Sequence, residues 1–195
     1  MEPTVPSGSM LIASPLIYGS ELPFTSFRLP GIRTPKRGDL VICTPDYHQE
    51  ASWYERILNS IIGFFTLQRK SFGTTENDWL QSRMLKRVIG VPGDTVKMEN
   101  FEILIKPEGK QYFFSEHEII QIEYTIGNYS LPENMPDGFP LSGNMEEITL
   151  LEDEFFIMGD NRSMSNDSYY WGPLDIENIK ARALLEYSPE ILPLQ

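Results

Sequence analysis

The chain has 195 residues and a formal net charge of −12 at pH 7, with 41% hydrophobic and 23% charged residues. This length and composition fit a folded domain with a real core and exclude disorder as the default state. Basic residues occur only singly or in short pairs, so we expect no nucleic-acid partner.

The sequence has few cysteine and histidine residues from which a disulfide or a metal site could form. Cys43 is the only cysteine, which excludes an intrachain disulfide, and we expect it to be a small buried hydrophobe in a strand. The two histidines, His48 and His117, show no zinc-binding spacing. We therefore expect no metal and no cofactor.

Most apolar segments are short, rich in β-branched or aromatic residues, and bounded by Gly, Pro, Asn or Asp, which predicts a mainly β protein. The predicted strands are, in chain order, Leu40 to Thr44, Met84 to Val91, Thr95 to Met98, Phe101 to Ile105, Gln111 to Phe114, Ile119 to Thr125, Glu147 to Leu150, Glu154 to Met158 and Ala181 to Tyr187.

One segment has helical spacing instead. From Ser52 to Leu67 the apolar residues recur at i, i+3 and i+4, and Ser52 and Glu55 form a capping box, so residues 52–67 predict an amphipathic helical insertion. It either packs on the sheet or lies in a membrane interface. No stretch reaches the roughly 20 apolar residues that span a bilayer.

A serine is presented by the turn Pro6-Ser7-Gly8-Ser9-Met10, where proline and glycine favour a tight backbone. A serine hydroxyl needs a base to become a nucleophile, and both histidines sit among loop-like, charged neighbours with no obvious acid to orient them. We expect both histidines to be surface residues.

Lys86 is a candidate base because a lysine in apolar surroundings loses its proton more easily. In the strand Met84 to Val91, the alternation of side chains places Lys86 on one face with Met84 and Val88. The alternative is that Lys86 and Arg87 are exposed charges at a strand edge. The polar loop from Gly159 to Gly172 likewise either caps the preceding strand or lines a site.

Taken together, these segments resemble the type I signal peptidases, serine endopeptidases that use a Ser-Lys dyad. Four family motifs occur in order: P-S-x-S-M at residues 6–10, P-K-R-G-D at 35–39, K-R-x-x-G-x-P-G-D at 86–94, and G-D-N-R followed by x-x-S-x-D-S at 159–168. The resemblance implies antiparallel β-sheets, with a catalytic β core from residues 1–94 and 153–195 and a small β cap lobe from 95–152.

The resemblance also implies roles for individual residues. Ser9 would be the nucleophile and Lys86 the general base, and Ser7 would stabilise the oxyanion together with the backbone N–H of Ser9. Ser165 would orient the lysine. Asp160 and Asn161 would support the surrounding loop, and Asp167 would steady the wall of the catalytic site. Small substrate side chains would fit shallow pockets lined by Val5, Pro6, Met10, Met84 and Leu85.

The implied function is removal of N-terminal signal peptides from exported preproteins at the extracytoplasmic face of a membrane. The sequence departs from the family in two places. Tyr169 replaces the usual arginine partner of Asp167, and the segment Leu11 to Leu16 differs from the family's apolar rim beside the nucleophile. No membrane anchor is recognised, so we expect either that one was removed or that this rim and the 52–67 helix contact lipid.

Two alternatives remain open. One is a self-cleaving, repressor-type Ser-Lys peptidase, which usually carries a DNA-binding module that this acidic chain lacks. The other is a non-catalytic β domain that binds a membrane or a partner. The joint presence of Ser7, Ser9, Lys86 and Ser165 argues against the second.

Overall fold

The fold was obtained as a computed structural model, which describes residues 1–6, 8–19, 30–45, 83–127, 143–162 and 165–187. The predicted helix at 52–67, together with Ser7 and His48, lies outside the described residues. No helix in the described ranges is long and apolar enough to cross a membrane.

Strands dominate the regular structure of the described residues. They are β1 Met10–Ser14, β2 Leu40–Cys43, β3 Met84–Gly90, β4 Thr95–Glu99, β5 Glu102–Lys106, β6 Phe114–Ser115, β7 Met145–Thr149, β8 Glu154–Met158, β9 Leu174–Asp175 and β10 Ile179–Tyr187. Two short helices, α1 Glu116–Ile119 and α2 Ser168–Trp171, and the 3₁₀ turns Pro15–Ile17 and Ile176–Asn178 complete the set.

The strands form two antiparallel sheets. The larger sheet has the order β1-β10-β2-β3-β8-β9, and the smaller has the order β6-β5-β4-β7. Every strand pairing in both sheets is antiparallel. This confirms the prediction of a mainly antiparallel β protein.

A shared apolar core joins the two sheets. It contains Ile89 and Phe156 of the larger sheet and Val96 and Ile105 of the smaller one, all fully buried. The sheets approach closely at Gly90, where an added Cβ would lie 2.8 Å from Leu150 Cδ1 and 2.9 Å from Val96 Cγ2. All strands of the smaller sheet fall within residues 95–152, and the division of the chain into two lobes stays a prediction.

A second apolar core covers the other face of the larger sheet. It is built around Val41 and Cys43 of β2, Val88 of β3 and Ile157 of β8. Cys43 is fully buried, as expected for a small hydrophobe in a strand. The central strands β3 and β8 are therefore covered by a core on each face.

Some element predictions were wrong. Ile119 to Thr125 is not a strand: its first residue ends α1, which Ser115 and Glu118 begin with a capping box, and an irregular segment follows. β1 was missed because its sequence, Met-Leu-Ile-Ala-Ser, lacks the alternation of a half-buried strand. β9 was missed because it has only two residues.

Candidate active site

Lys86 lies in the apolar interior of the larger sheet. On β2, Val41 is its direct cross-strand neighbour and Cys43 is the neighbour of Met84, so these four side chains share one face. Val88 continues that face into the second core. Lys86 is only 7% exposed, which agrees with the burial expected from its flanks and not with an exposed strand-edge charge.

The amine of Lys86 is held by a serine and, through it, by an acid. Lys86 Nζ donates a hydrogen bond to Ser165 Oγ at 2.6 Å. The Ser165 side chain in turn hydrogen-bonds the carboxylate of Asp167. That carboxylate also accepts the backbone N–H groups of Gly159 at 2.9 Å and Tyr169 at 3.2 Å, and it caps the start of α2.

Burial disfavours the charged forms of Lys86 and Asp167, the two ends of this chain of hydrogen bonds. Removal from water lowers the pKa of Lys86, while the negative charges of Asp167 and, less strongly, of Asp160 partly restore it. Burial also raises the pKa of Asp167, against the hydrogen bond from Ser165 and the charge of Lys86. The geometry thus favours an amine that loses its proton more easily than a solvated lysine.

Gly159 is the residue that sequence reasoning did not single out, although it opens the last motif. A Cβ at this position would lie 2.1 Å from Ser165 Oγ, 2.7 Å from Ser165 Cβ and 3.4 Å from Lys86 Nζ. Only a residue without a side chain lets the end of β8 approach the Lys86–Ser165 pair this closely. The signal that could have found it is the glycine at the junction of an apolar strand and a polar loop.

The opposite face of β3 carries a second buried charge. Arg87 donates to both carboxylate oxygens of Asp160, at 2.8 and 2.7 Å, and to the carbonyl of Gly38 at 3.0 Å. Arg87 and Asp160 are 3% and 0% exposed. The sequence predicted that Asp160 supports the loop, and its partner in the structure is the residue next to Lys86.

Ser9 ends a tight turn at the start of β1. Its backbone N–H donates to the carbonyl of Pro6 at 3.2 Å, and Gly8 adopts a φ of +88°, which favours glycine. Ser9 is partly exposed. Gly127 pairs with Asn161 in a short bridge, and a Cβ added at Gly127 would lie 3.4 Å from Pro3 Cδ, so the N-terminal segment runs beside the loop after β8.

The contacts bring Lys86, Ser165 and Asp167 into one hydrogen-bonded cluster, and place Asp160 and Asn161 directly after Gly159. Of the predicted pocket residues, Val5 is buried, Met84 and Leu85 are partly buried, and Pro6 and Met10 are exposed. Their contact with substrate and the pairing of Ser9 with Lys86 stay predictions. Within the described ranges, no group of three or more His, Cys, Asp or Glu residues could hold a metal ion.

Comparison with known proteins gives consistent relatives. Signal peptidase I from Leptolyngbya laminosa is 32% identical over 116 residues, covering 58% of this chain and 45% of that protein. Thylakoidal processing peptidase 1, chloroplastic, from Arabidopsis thaliana is 27% identical over 187 residues, covering 93% of this chain and 45% of that protein. The matched region thus spans about half the length of these curated relatives.

A solved signal peptidase I from Enterococcus faecalis V583 is 19% identical, with a TM-score of 0.39, covering 80% of this chain and all of that one. The family model described as signal peptidase, peptidase S26 matches residues 1–188, nearly the whole sequence. On this match, the chain belongs to the signal peptidase, peptidase S26 family.

Proposed function

We propose that this chain is a serine endopeptidase that removes N-terminal signal peptides from exported preproteins, with Ser9 as nucleophile and Lys86 as general base. The observation that carries the proposal is the environment of Lys86. Its amine is buried against an apolar face and held by Ser165 at 2.6 Å. A surface lysine, with a pKa of about 10.4, would stay protonated near neutral pH and could not act as a base.

Neutral Lys86 has a lone pair that can accept the proton of Ser9 Oγ as that oxygen attacks the scissile carbonyl carbon. When the tetrahedral intermediate collapses, the protonated amine returns this proton to the leaving nitrogen, and an acyl-enzyme on Ser9 remains. Lys86 then takes a proton from the water that hydrolyses the ester. One base thus serves both halves of the reaction.

Ser165 and Asp167 orient the amine of Lys86. The hydrogen bond from Nζ to Ser165 fixes one N–H of Lys86, so its lone pair has a defined orientation. The carboxylate of Asp167 holds Ser165 and is itself fixed by two backbone N–H groups. In the oxyanion arrangement proposed for Ser7 and the N–H of Ser9, that N–H exchanges its bond to Pro6 for the developing oxyanion.

The proposed site of action is a membrane surface, on its extracytoplasmic side. Support comes from the apolar side chains beside the serine turn: Met10 and Ile12 on the edge strand β1 are 65% and 57% exposed, and Leu185, paired with Ile12 on β10, is 64% exposed. Such a row is suited to an apolar surface. The proposed substrates present small side chains to the pockets expected from Val5, Pro6, Met10, Met84 and Leu85.

The test is incubation of the chain with a purified preprotein in detergent, followed by N-terminal sequencing of the product. Cleavage at one site after a small residue is expected for the wild type, and Ser9→Ala and Lys86→Ala should each abolish it. Matched controls are Ser14→Ala on β1 and Lys106→Met on the smaller sheet, which should cleave normally. Cleavage by either Ser9→Ala or Lys86→Ala would refute the dyad.

A further inference from the structure

A cluster of buried and partly buried polar side chains lies behind the proposed site, on the face of β3 opposite Lys86. We call it the Glu116 cluster, and it consists of Glu116, Tyr124, Arg162 and Arg87. Arg162 Nη2 donates to Glu116 Oε1 at 2.5 Å, and the hydroxyl of Tyr124 donates to the same oxygen. The guanidinium carbon of Arg87 lies 3.9 Å from the centroid of the Tyr124 ring.

This cluster ties the smaller sheet's helix to the loop that follows β8. Glu116 begins α1, whereas Arg162 follows Gly159 by three residues. Backbone hydrogen bonds reinforce the link: the N–H of Gly127 donates to the carbonyl of Asp160 at 2.8 Å, and the N–H of Arg162 donates to the carbonyl of Gly127 at 3.0 Å. Residues 116–127 are therefore joined to residues 160–162 by hydrogen bonds of both the backbone and the side chains.

Arg87 and Asp160 lie next to the hydrogen-bonded pair Lys86 and Ser165. Arg87 follows Lys86 on β3, and Asp160 follows Gly159, where an added Cβ would lie 2.7 Å from Ser165 Cβ and 3.4 Å from Lys86 Nζ. Arg87 and Asp160 are joined by two hydrogen bonds, so β3 and the end of β8 are fixed relative to each other from behind. A displacement of Asp160 would move Gly159, whose N–H holds the Asp167 carboxylate that hydrogen-bonds Ser165, and so would change the 2.6 Å contact between Lys86 and Ser165.

We propose that Glu116 and Tyr124 are positioning residues for the reaction, which set the distance between Lys86 and Ser165 through Arg162, Arg87 and Asp160. This inference rests on the proposed peptidase function. Glu116 and Arg162 are 3% and 6% exposed, so their pairing is directional and shielded from water. An apolar pair could fill the same volume without imposing that direction.

The decisive variants separate positioning from stability. Glu116→Leu combined with Arg162→Met replaces the buried ion pair by apolar side chains, a change that is often neutral for stability. Tyr124→Leu removes both the hydroxyl and the ring beneath Arg87, and Tyr124→Phe removes the hydroxyl alone. Tyr112→Phe is the control, because Tyr112 is 74% exposed and lies outside the cluster.

Two readouts are measured on folded protein: kcat and KM for preprotein cleavage, and the pKa of Lys86 by NMR of the isotope-labelled side chain. We expect kcat to fall about 10- to 100-fold in the double variant and in Tyr124→Leu, because small misplacements of reacting groups are costly. KM should change by less than about twofold. The pKa of Lys86 should rise as water reaches its amine, whereas Tyr124→Phe should give a smaller effect in the same direction.

The inference is overturned if the double variant and Tyr124→Leu keep the wild-type kcat and Lys86 pKa, since the cluster would then serve stability alone. If the double variant does not fold, Tyr124→Leu decides in the same way. Failure of the proposed function is seen separately: the wild type itself would not cleave preprotein, while the NMR measurement would still report whether the cluster controls the Lys86 amine.

Discussion

Replacing Gly159 by alanine should disable the site by steric means alone. The new Cβ would lie 2.1 Å from Ser165 Oγ and 2.7 Å from Ser165 Cβ. Rotation of the hydroxyl relieves the first overlap but breaks its bond to Lys86, and no rotation relieves the second. Overpacking costs about 1–3 kcal/mol, and leaving a buried hydrogen-bonding group without its partner costs a similar amount. We expect the free energy of unfolding to fall by about 3 kcal/mol.

Urea unfolding and preprotein cleavage measure the two consequences. The matched control is Gly127→Ala, where the nearest atom, Pro3 Cδ, is 3.4 Å from the new Cβ, an ordinary contact. Adding Ser165→Gly to Gly159→Ala removes both clashing atoms but not the loss of the hydrogen bond to Lys86, so stability should recover in part while cleavage stays lost. The reasoning is refuted if Gly159→Ala unfolds at the wild-type urea concentration and cleaves at the wild-type rate.

Three further predictions concern buried residues of β2 and β3. Lys86→Met should lose cleavage but be more stable than the wild type at pH 7, because burial lowers the pKa of Lys86 in the folded state. This gain in stability should shrink as the pH rises toward the unfolded pKa of about 10.4. Urea unfolding midpoints measured at pH 7 and near that pH would show the change. Arg87→Met alone should cost about 3–5 kcal/mol, and adding Asp160→Leu should recover most of it in the same assay. Cys43, whose pKa burial raises to about 12, should react with a thiol reagent only after denaturation; fast labelling of native protein would contradict its burial.

The sequence was sufficient where a local pattern determines the structure. Short β-branched segments between turn residues predicted β2, β3, β4 and β8 within about two residues. Strand alternation then placed Lys86 on the apolar face of β3, because the side chain that points inward depends only on register. The motif at residues 159–168 contains both Ser165 and Asp167, which the structure joins to Lys86.

What could not be predicted depends on contacts between distant residues. Arg87 and Asp160 are separated by 73 positions, and Arg162 and Glu116 by 46. The apolar character of Ile119 to Thr125 suggested a strand, but Ser115 and Glu118 begin α1 just before this segment and carry Glu116 inward. Since α1 was not foreseen, nothing in the sequence pointed to the carboxylate that pairs with Arg162.

The placement of charges on β3 explains how one strand holds both a lysine of lowered pKa and a permanent cation. Lys86 and Arg87 are adjacent, so they point to opposite faces. Arg87 meets the carboxylate of Asp160 directly, and this pairing compensates the burial of its charge. Lys86 meets its acid, Asp167, only through the hydroxyl of Ser165. The negative charge is thus near enough to orient the amine through a hydrogen bond, but burial remains the larger influence and lowers its pKa. A direct ion pair to Lys86 would keep the proton in place, so the intervening serine fits the role of base proposed for this lysine.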